Sequence, residues 1–280
     1  MQFGKLVGRF FLKEDLGLED DDTPNTVTVS ELVETFSAWP DWIKQLSTTF
    51  TNIQLFTMFE TSDVHPDIIE KMKLFSKVIV PYDYLKDILI GHGVNCEAMN
   101  WWTSPLIRTT PQVLNKPINP NKLVFLYVGT NDIRKNVVKL TEIFKNVFDG
   151  TEHKLIVKTN KTDNLHESKN IKCITNRLSY SEMAGLYNIC DYVISFSRGE
   201  GVGLPMLEAK YFGKPVISHD GGVLSMIKDE SWIVLPSHEI LIDTTDVPDF
   251  LLKVFYGTWW EVDSDKVVQI LKKIGENIEP

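Results

Sequence analysis

The sequence predicts an α/β protein made of two domains, a small first α/β unit and a doubly wound second one. Three observations carry that prediction. The chain has 280 residues, more than one typical domain and enough for two modest ones. Its second half alternates strand-like apolar runs with helical periodicity over short connections, as a parallel sheet with right-handed crossovers requires. Between the halves, Pro105, Pro111, Pro117 and Pro120 cluster in a stretch without periodicity, the composition of an interdomain linker.

In the first half, "VSELVETF" fits either strand or helix, and "SAWPDWIKQL" holds one short helix. "NIQLFTMF" (52–59) reads as a strand, and "HPDIIEKMKLFSK" as a helix with Pro66 at its first position. "KVIVP" is again a strand, followed by the helix "YDYLKDILIGHG", which Gly91 or Gly93 ends. After the linker, "KLVFLYVG" (122–129) is a buried strand, and "VVKLTEIFKNVF" (137–148) spaces Val137, Leu140, Phe144 and Val147 as one helical face. "HKLIVK" (153–158) and "IKCI" (171–174) are strands. Ser179 with Glu182 forms a capping-box pattern that starts the next helix. "DYVISF" (191–196) returns to strand, a helix runs from about Pro205 to near Gly213, and "KPVIS" is the strand after it. The tail "DSDKVVQILKKIGENI" has the spacing of an amphipathic helix.

Composition excludes several classes. A net charge of −9 argues against nucleic acid, whose phosphates need a basic face. Cys96, Cys173 and Cys190 are odd in number and lack metal-ligand spacing, and the six histidines are scattered, so free thiols and no metal site are expected. No run approaches the roughly 20 apolar residues of a membrane span, and no secretory signal is visible, so a cytoplasmic location is expected. In the tail, Lys266, Lys272 and Lys273 are balanced by nearby acids, which leaves room only for weak association with a membrane surface. The doublets Trp101–Trp102 and Trp259–Trp260 have faces that stack on sugars, but packing in a core is the favoured reading.

The informative stretch is "SFSRGEGVGLPMLEAKYFGKPVISHDGG" (195–222). It leaves a strand and enters a helix, where open parallel sheets bind their ligands. Gly199, Gly201 and Gly203 strip the turn of side chains so that backbone N–H groups can approach a ligand. With the helix dipole they make an anion site suited to phosphate, lined by Gly201, Val202, Gly203 and Leu204. Glu208, on the first turn of the helix, suits the hydroxyls of a ribose, and Glu200 those of a second polyol. Phosphate between two polyols describes a nucleotide sugar. The bland alternative is a glycine-rich turn with two solvated glutamates.

The same segment resembles the signature of retaining GT-B glycosyltransferases, the glycogen-synthase-like and lipid-mannosyltransferase-like superfamily, with its Glu-x7-Glu pattern. Ser197, Glu200, Gly201, Gly203, Leu204, Pro205, Glu208, Ala209, Gly213, Pro215, Val216 and Ile217 match it. Upstream, "YVGTNDIRKN" (127–136) resembles the segment whose lysine and arginine bind the donor diphosphate, which implies that role for Lys135 and Arg134. Thr130 stands where many members have an arginine. The loop ahead of the 179 helix implies a contact of Leu178 with the nucleobase, and Lys158 ends a strand pointing toward the donor. In the first half, "FTMFETSDVHPDIIEKMKLFSKVIVPYDYLKDILIGHGVN" is similar to a segment of some members. It makes Glu60, Asp63 and His65 the acceptor-side candidates, while Tyr82 replaces a usual serine.

The resemblance implies a GT-B fold, two Rossmann-like domains facing a cleft. Residues 1–117 would form the small acceptor-side domain and 118–257 the nucleotide-sugar domain, with 258–280 a helix crossing back to the first. It implies transfer of a sugar from a nucleotide-diphosphate donor to a hydroxyl of a glycan, lipid or protein, with retention, needing neither metal nor cofactor. The catalytic set would be Glu200, Arg134 and Lys135. Two alternatives are a non-catalytic assembly subunit of the same fold and a nucleotide-sugar epimerase.

Overall fold

A computed structural model describes residues 9–10, 26–30, 33–100, 104–114, 122–245, 247 and 251–276. Trp101 and Trp102, Pro117 and Pro120 lie outside these residues. The chain divides into two compact units: Met1–Trp102 with Leu241–Thr258, and Thr103–Ile240 with Trp259–Pro280.

Unit 1 is built on a five-stranded sheet: β1 Arg9–Phe10, β2 Thr26–Ser30, β3 Asn52–Phe56, β4 Lys77–Val80 and β5 Cys96–Ala98, in that spatial order. β1 is antiparallel to β2 and the remaining neighbours are parallel. Three helices connect them: α1 Trp39–Leu46, α2 Pro66–Met72 and α3 Asp83–Gly91. The ambiguous "VSELVETF" splits, ending β2 at Ser30 and opening a 3-10 turn at Val33. Pro66 opens α2, where a missing N–H costs nothing, and the His65 side chain caps it by accepting from the Asp67 N–H at 3.1 Å. Trp39, Leu55, Phe59, Ile68, Met72 and Leu85 form the buried interior. Segment 241–258 belongs to this unit because Ser62 fastens it: Thr258 N–H donates to Ser62 Oγ at 2.7 Å and Ser62 N–H to the Thr258 carbonyl at 3.1 Å. The first unit therefore includes residues that the sequence assigned to the second.

Unit 2 holds a six-stranded parallel sheet of β6 Val124–Val128, β7 Lys154–Lys158, β8 Ile171–Ile174, β9 Tyr192–Ile194, β10 Val216–Ser218 and β11 Ile233–Val234. Its order is β11-β10-β9-β6-β7-β8, so the winding direction reverses between β6 and β9. The strands are short Val/Ile/Leu/Phe runs because helices cover them. Those helices are α4 Val137–Phe148, α5 Tyr180–Ile189, α6 Leu204–Tyr211 and the short α7 Leu224–Ile227. Ser179 and Glu182 form the predicted capping box of α5. A two-stranded ribbon, β12 Ser237–Leu241 with β13 Thr258–Val262, leads to α8 Ser264–Glu276.

Two expectations change here. The terminal helix was expected to cross to the first domain. Instead Val267 and Leu271 of α8 are buried in the core of unit 2 with Phe144 and Phe148 of α4, because its apolar face completes that core. The proline-rich stretch was expected to part the two domains, with residues up to 117 on the side of the first. Residues 104–114 instead pack in unit 2, with Ser181 Oγ donating to the Thr110 carbonyl at 2.9 Å and Gln112 N–H to the Ser181 carbonyl at 2.9 Å.

Of the tryptophan doublet in β13, Trp259 is buried, and Trp260 lies flat on Gly221 and stacks on His219 at 6.1 Å. A Cβ at Gly221 would sit 2.1 Å from Trp260 Cδ2. Gly221→Ala is therefore expected to destabilise the protein by about 1–3 kcal/mol through overpacking. Gly91→Ala, where a Cβ meets no atom within 4 Å, is expected to be neutral or stabilising by about 0.4–1 kcal/mol. Thermal unfolding of both variants checks the pair.

Candidate functional site

The reversal between β6 and β9 opens a crevice at the carboxyl ends of those strands, the general ligand position of open α/β sheets. The loop after β6 runs through Thr130, Asp132, Arg134 and Lys135 to Asn136, whose left-handed backbone (φ 53°) turns the chain into α4. Asp132 Oδ1 accepts the Lys135 N–H at 2.9 Å and so shapes this turn. The loop after β9 runs from Ser195 to Gly203, with Ser197 Oγ donating to the Gly199 carbonyl at 3.0 Å.

Reciprocal bonds stitch the loops together. Arg198 N–H donates to the Arg134 carbonyl at 2.7 Å, and Arg134 Nη1 to the Gly199 carbonyl at 2.8 Å. Lys135 Nζ donates to Glu200 Oε1 at 2.5 Å, with side-chain exposures of only 11% and 7%. Three predicted site residues, Arg134, Lys135 and Glu200, are thus brought into one cluster. Burial pushes the Glu200 carboxyl up, but the Lys135 and Arg134 charges and the bonds from Lys135 and Ser197 outweigh it. The carboxyl is held below its ordinary 4.5.

The other acid of the pair differs in kind. Glu208 stands on the second turn of α6, not the first, and is buried. Ser104 Oγ donates to its Oε1 and Tyr187 Oη to its Oε2, each at 2.6 Å. Burial raises the Glu208 carboxyl above 4.5 despite both bonds. The expected bare turn also differs: Gly201, Val202 and Gly203 are all buried. Gly203 has φ 74°, and a Cβ there would lie 2.6 Å from Ile227 Cδ1 of α7. Its glycine serves backbone conformation and close packing together. Leu204, which opens α6, is exposed.

The remaining candidates lie on other elements of the chain. Lys158 ends β7 and donates to the Thr159 carbonyl at 3.1 Å, while Leu178 is half-buried in the loop before α5. In unit 1, Glu60, Asp63 and His65 share the loop between β3 and α2. His65 is the cap of α2 and meets the Tyr256 ring edge-on at 5.2 Å. Asp63 accepts the Val64 N–H at 2.7 Å and pairs with His92 Nε2 at 2.6 Å.

Several residues around the cluster escaped the sequence reading. His219 accepts the Gly221 N–H at Nδ1 (3.0 Å), so its Nε2 carries the proton and contacts the Ser197 carbonyl at 2.6 Å; burial lowers its pKa. Ser104 lay in a stretch whose composition signalled only linker. Glu261 did leave a signal, a carboxylate inside the apolar run "TWWEV". Beside the stitched loops lies a cleft of about 350 Å³ lined by Asn131, Asp132, Asn136, Lys161 and Arg198. Among the described residues no group of three His, Cys, Asp or Glu side chains is placed to hold a metal ion. No described helix is long and apolar enough to cross a membrane.

The profile of the family described as "Glycosyl transferases group 1" matches residues 112–251, half of the chain. No curated protein sequence gives a significant match. Among solved structures, sucrose-phosphate synthase from Thermosynechococcus elongatus is 14% identical with a TM-score of 0.63, covering 95% of this chain and 66% of its own. TarM is 16% identical with a TM-score of 0.54, covering 90% of this chain and 50% of its own. HepE from Anabaena, solved with UDP and glucose, is 13% identical with a TM-score of 0.54, covering 87% of this chain and 67% of its own. At such identities the likeness shows the fold, GT-B with Rossmann-like units, and the chain spans half to two thirds of these proteins' length.

Two outcomes follow from the electrostatics. Glu200→Ala strands the buried Lys135 ammonium and is expected to cost about 3 kcal/mol, whereas Lys135→Met with Glu200→Met together is expected to be near neutral in urea unfolding. A carboxyl held above 4.5 in the folded state, as at Glu208, contributes stability below 4.5 that is lost as pH rises through the folded value. The parent should therefore lose stability relative to Glu208→Gln as pH rises from 4.5. A gap independent of pH in urea unfolding would sink this assignment.

Proposed function

The chain belongs to the group 1 glycosyl transferase family, and from that premise we propose that it moves a sugar from a nucleotide-diphosphate donor to an acceptor hydroxyl with retention. The observation that carries this reading is the buried Lys135–Glu200 pair, joined across the reversal of the sheet and flanked by Arg134. A charge pair enclosed at a ligand crevice is costly to build for stability alone.

In this reading the donor diphosphate sits against the β6 loop. The bond between the anomeric carbon and the diphosphate oxygen breaks, and the acceptor hydroxyl oxygen bonds to the same face of that carbon. The hydroxyl proton passes to the departing diphosphate oxygen. Lys135 and Arg134 stabilise the charge that develops on the leaving group, and the dipole at the start of α6 adds to them. These two fixed cations supply the neutralisation that a divalent ion would otherwise give, so the reaction is proposed to need no metal. Glu200 orients the Lys135 ammonium and receives hydroxyls of the transferred sugar.

Glu208 would receive the ribose after exchanging one of its protein hydroxyls, Ser104 or Tyr187, for those of the nucleotide. UDP in the HepE structure makes UDP-sugars the first donors to try. The acceptor hydroxyl belongs to a glycan, lipid or protein. The free thiols of Cys96, Cys173 and Cys190 support a reducing, cytoplasmic setting.

The engagement of both Glu208 oxygens by protein favours one other reading, a non-catalytic assembly subunit that keeps the fold. Calorimetry with UDP, GDP and ADP separates the two. The transferase reading expects binding of one of them, weakened about 10- to 100-fold by Lys135→Ala through loss of a charge-assisted bond. It also expects turnover of the matching nucleotide sugar to collapse in Glu200→Gln. A chain that binds none of the three overturns the transferase reading and favours the assembly subunit.

A further inference from the structure

We propose that Glu261 is a positioning residue: it holds Arg198 as a brace across the two loops, and thereby keeps Arg134 and Lys135 aimed at the donor diphosphate. The inference rests on the transferase reading and extends it to a residue outside the matched motifs. Glu261 lies on β13, beyond both loops, and is buried at 8% exposure. Its Oε2 accepts from Arg198 Nε at 2.8 Å and Nη2 at 2.5 Å, and its Oε1 from Lys139 Nζ at 2.9 Å and Asn136 Nδ2 at 3.1 Å. One carboxylate therefore satisfies the β9 loop on one side and the first turn of α4 on the other.

Arg198 passes the constraint on. With Nε and Nη2 occupied, its remaining nitrogen Nη1 donates to the Ile133 carbonyl at 2.9 Å, in the peptide that precedes Arg134. Its own N–H holds the Arg134 carbonyl, and its carbonyl accepts the Trp260 N–H at 2.9 Å, one residue before Glu261. Without the carboxylate, a guanidinium whose side chain is only 19% exposed loses two of its bonds and swings away. The Ile133 carbonyl is then released, and the Arg134–Lys135 backbone loses its register against Glu200. Glu261 also offsets an unfavourable feature of α4. Lys139 puts positive charge at the positive end of its dipole, and the carboxylate beside the first turn opposes it.

A buried carboxylate that merely strengthens the fold would lower stability when replaced and leave ligand discrimination alone. A brace for the diphosphate groups would change the preference for diphosphate over monophosphate. The test uses the full chain in calorimetry with UDP and UMP, GDP and GMP, and ADP and AMP. Glu261→Gln is expected to lower affinity for the bound diphosphate about 10-fold or more, to leave the monophosphate within about twofold, and to reduce kcat more than KM changes.

Arg198→Met with Glu261→Met removes both charges of the pair at once, so that no buried guanidinium is left unpaired, although Lys139 and Asn136 lose a partner, and is expected to show the same narrowed ratio. That double variant carries the test if Glu261→Gln does not fold. A ratio equal to the parent's in either folded variant overturns the inference while the transferase reading stands. A parent that binds no diphosphate fails the transferase reading itself, and the inference falls with it.

Discussion

The two loops at the sheet reversal of unit 2 are organised around a single buried contact, the Lys135 ammonium against the Glu200 carboxylate. The two residues are 65 positions apart and meet because β6 and β9 are hydrogen-bonded neighbours. Taking both charges out of water is repaid only when geometry is held tightly and the remaining lone pairs are satisfied. The surroundings meet those demands. Arg134 and Arg198 exchange bonds with the opposite loop's backbone, Ser197 and His219 shape the β9 loop, and Glu261 anchors it from outside. The polar residues of these two loops support that contact, whereas His153, Asn170 and Glu208 serve other parts of the unit.

The two glutamates of the motif hold opposite electrostatic positions although only seven residues lie between them. Glu200 faces cations and stays ionised, because their attraction exceeds the penalty of burial. Glu208 faces neutral hydroxyls of Ser104 and Tyr187, which are too weak to cancel burial, so it favours its protonated form more than an ordinary glutamate. A charged group suits a site where charge develops, and a hydroxyl-bonded one suits exchange with other hydroxyls. The division of labour follows from who the neighbours are, not from the residue type.

Unit 1 shows a quieter version of the same lesson. Its three candidates sit on one loop, yet His65 is used as a helix cap, and Asp63 finds His92 at the end of α3. A histidine before a proline at a helix start is legible as a cap. The meeting of Asp63 with a histidine 29 positions later is not, because no local pattern encodes it.

Periodicity and capping chemistry were enough to read β6 to β10 and the helices α4, α5, α6 and α8, but not β11, the β12–β13 ribbon or α7, since only long apolar runs between Gly, Pro and Ser signals are legible as local properties of the chain. The same local chemistry, with the match to a known motif, marked Arg134, Lys135 and Glu200 as a set. Their contact, the burial of the glycine turn, the partners of Glu208 and the service of Glu261 were decided only by tertiary structure. So was the placement of the last helix, whose amphipathic pattern states that one face must be covered but not by what. The physical reason is common to all of them. A sequence specifies what each residue needs, whereas strand order and packing determine which distant residue supplies it.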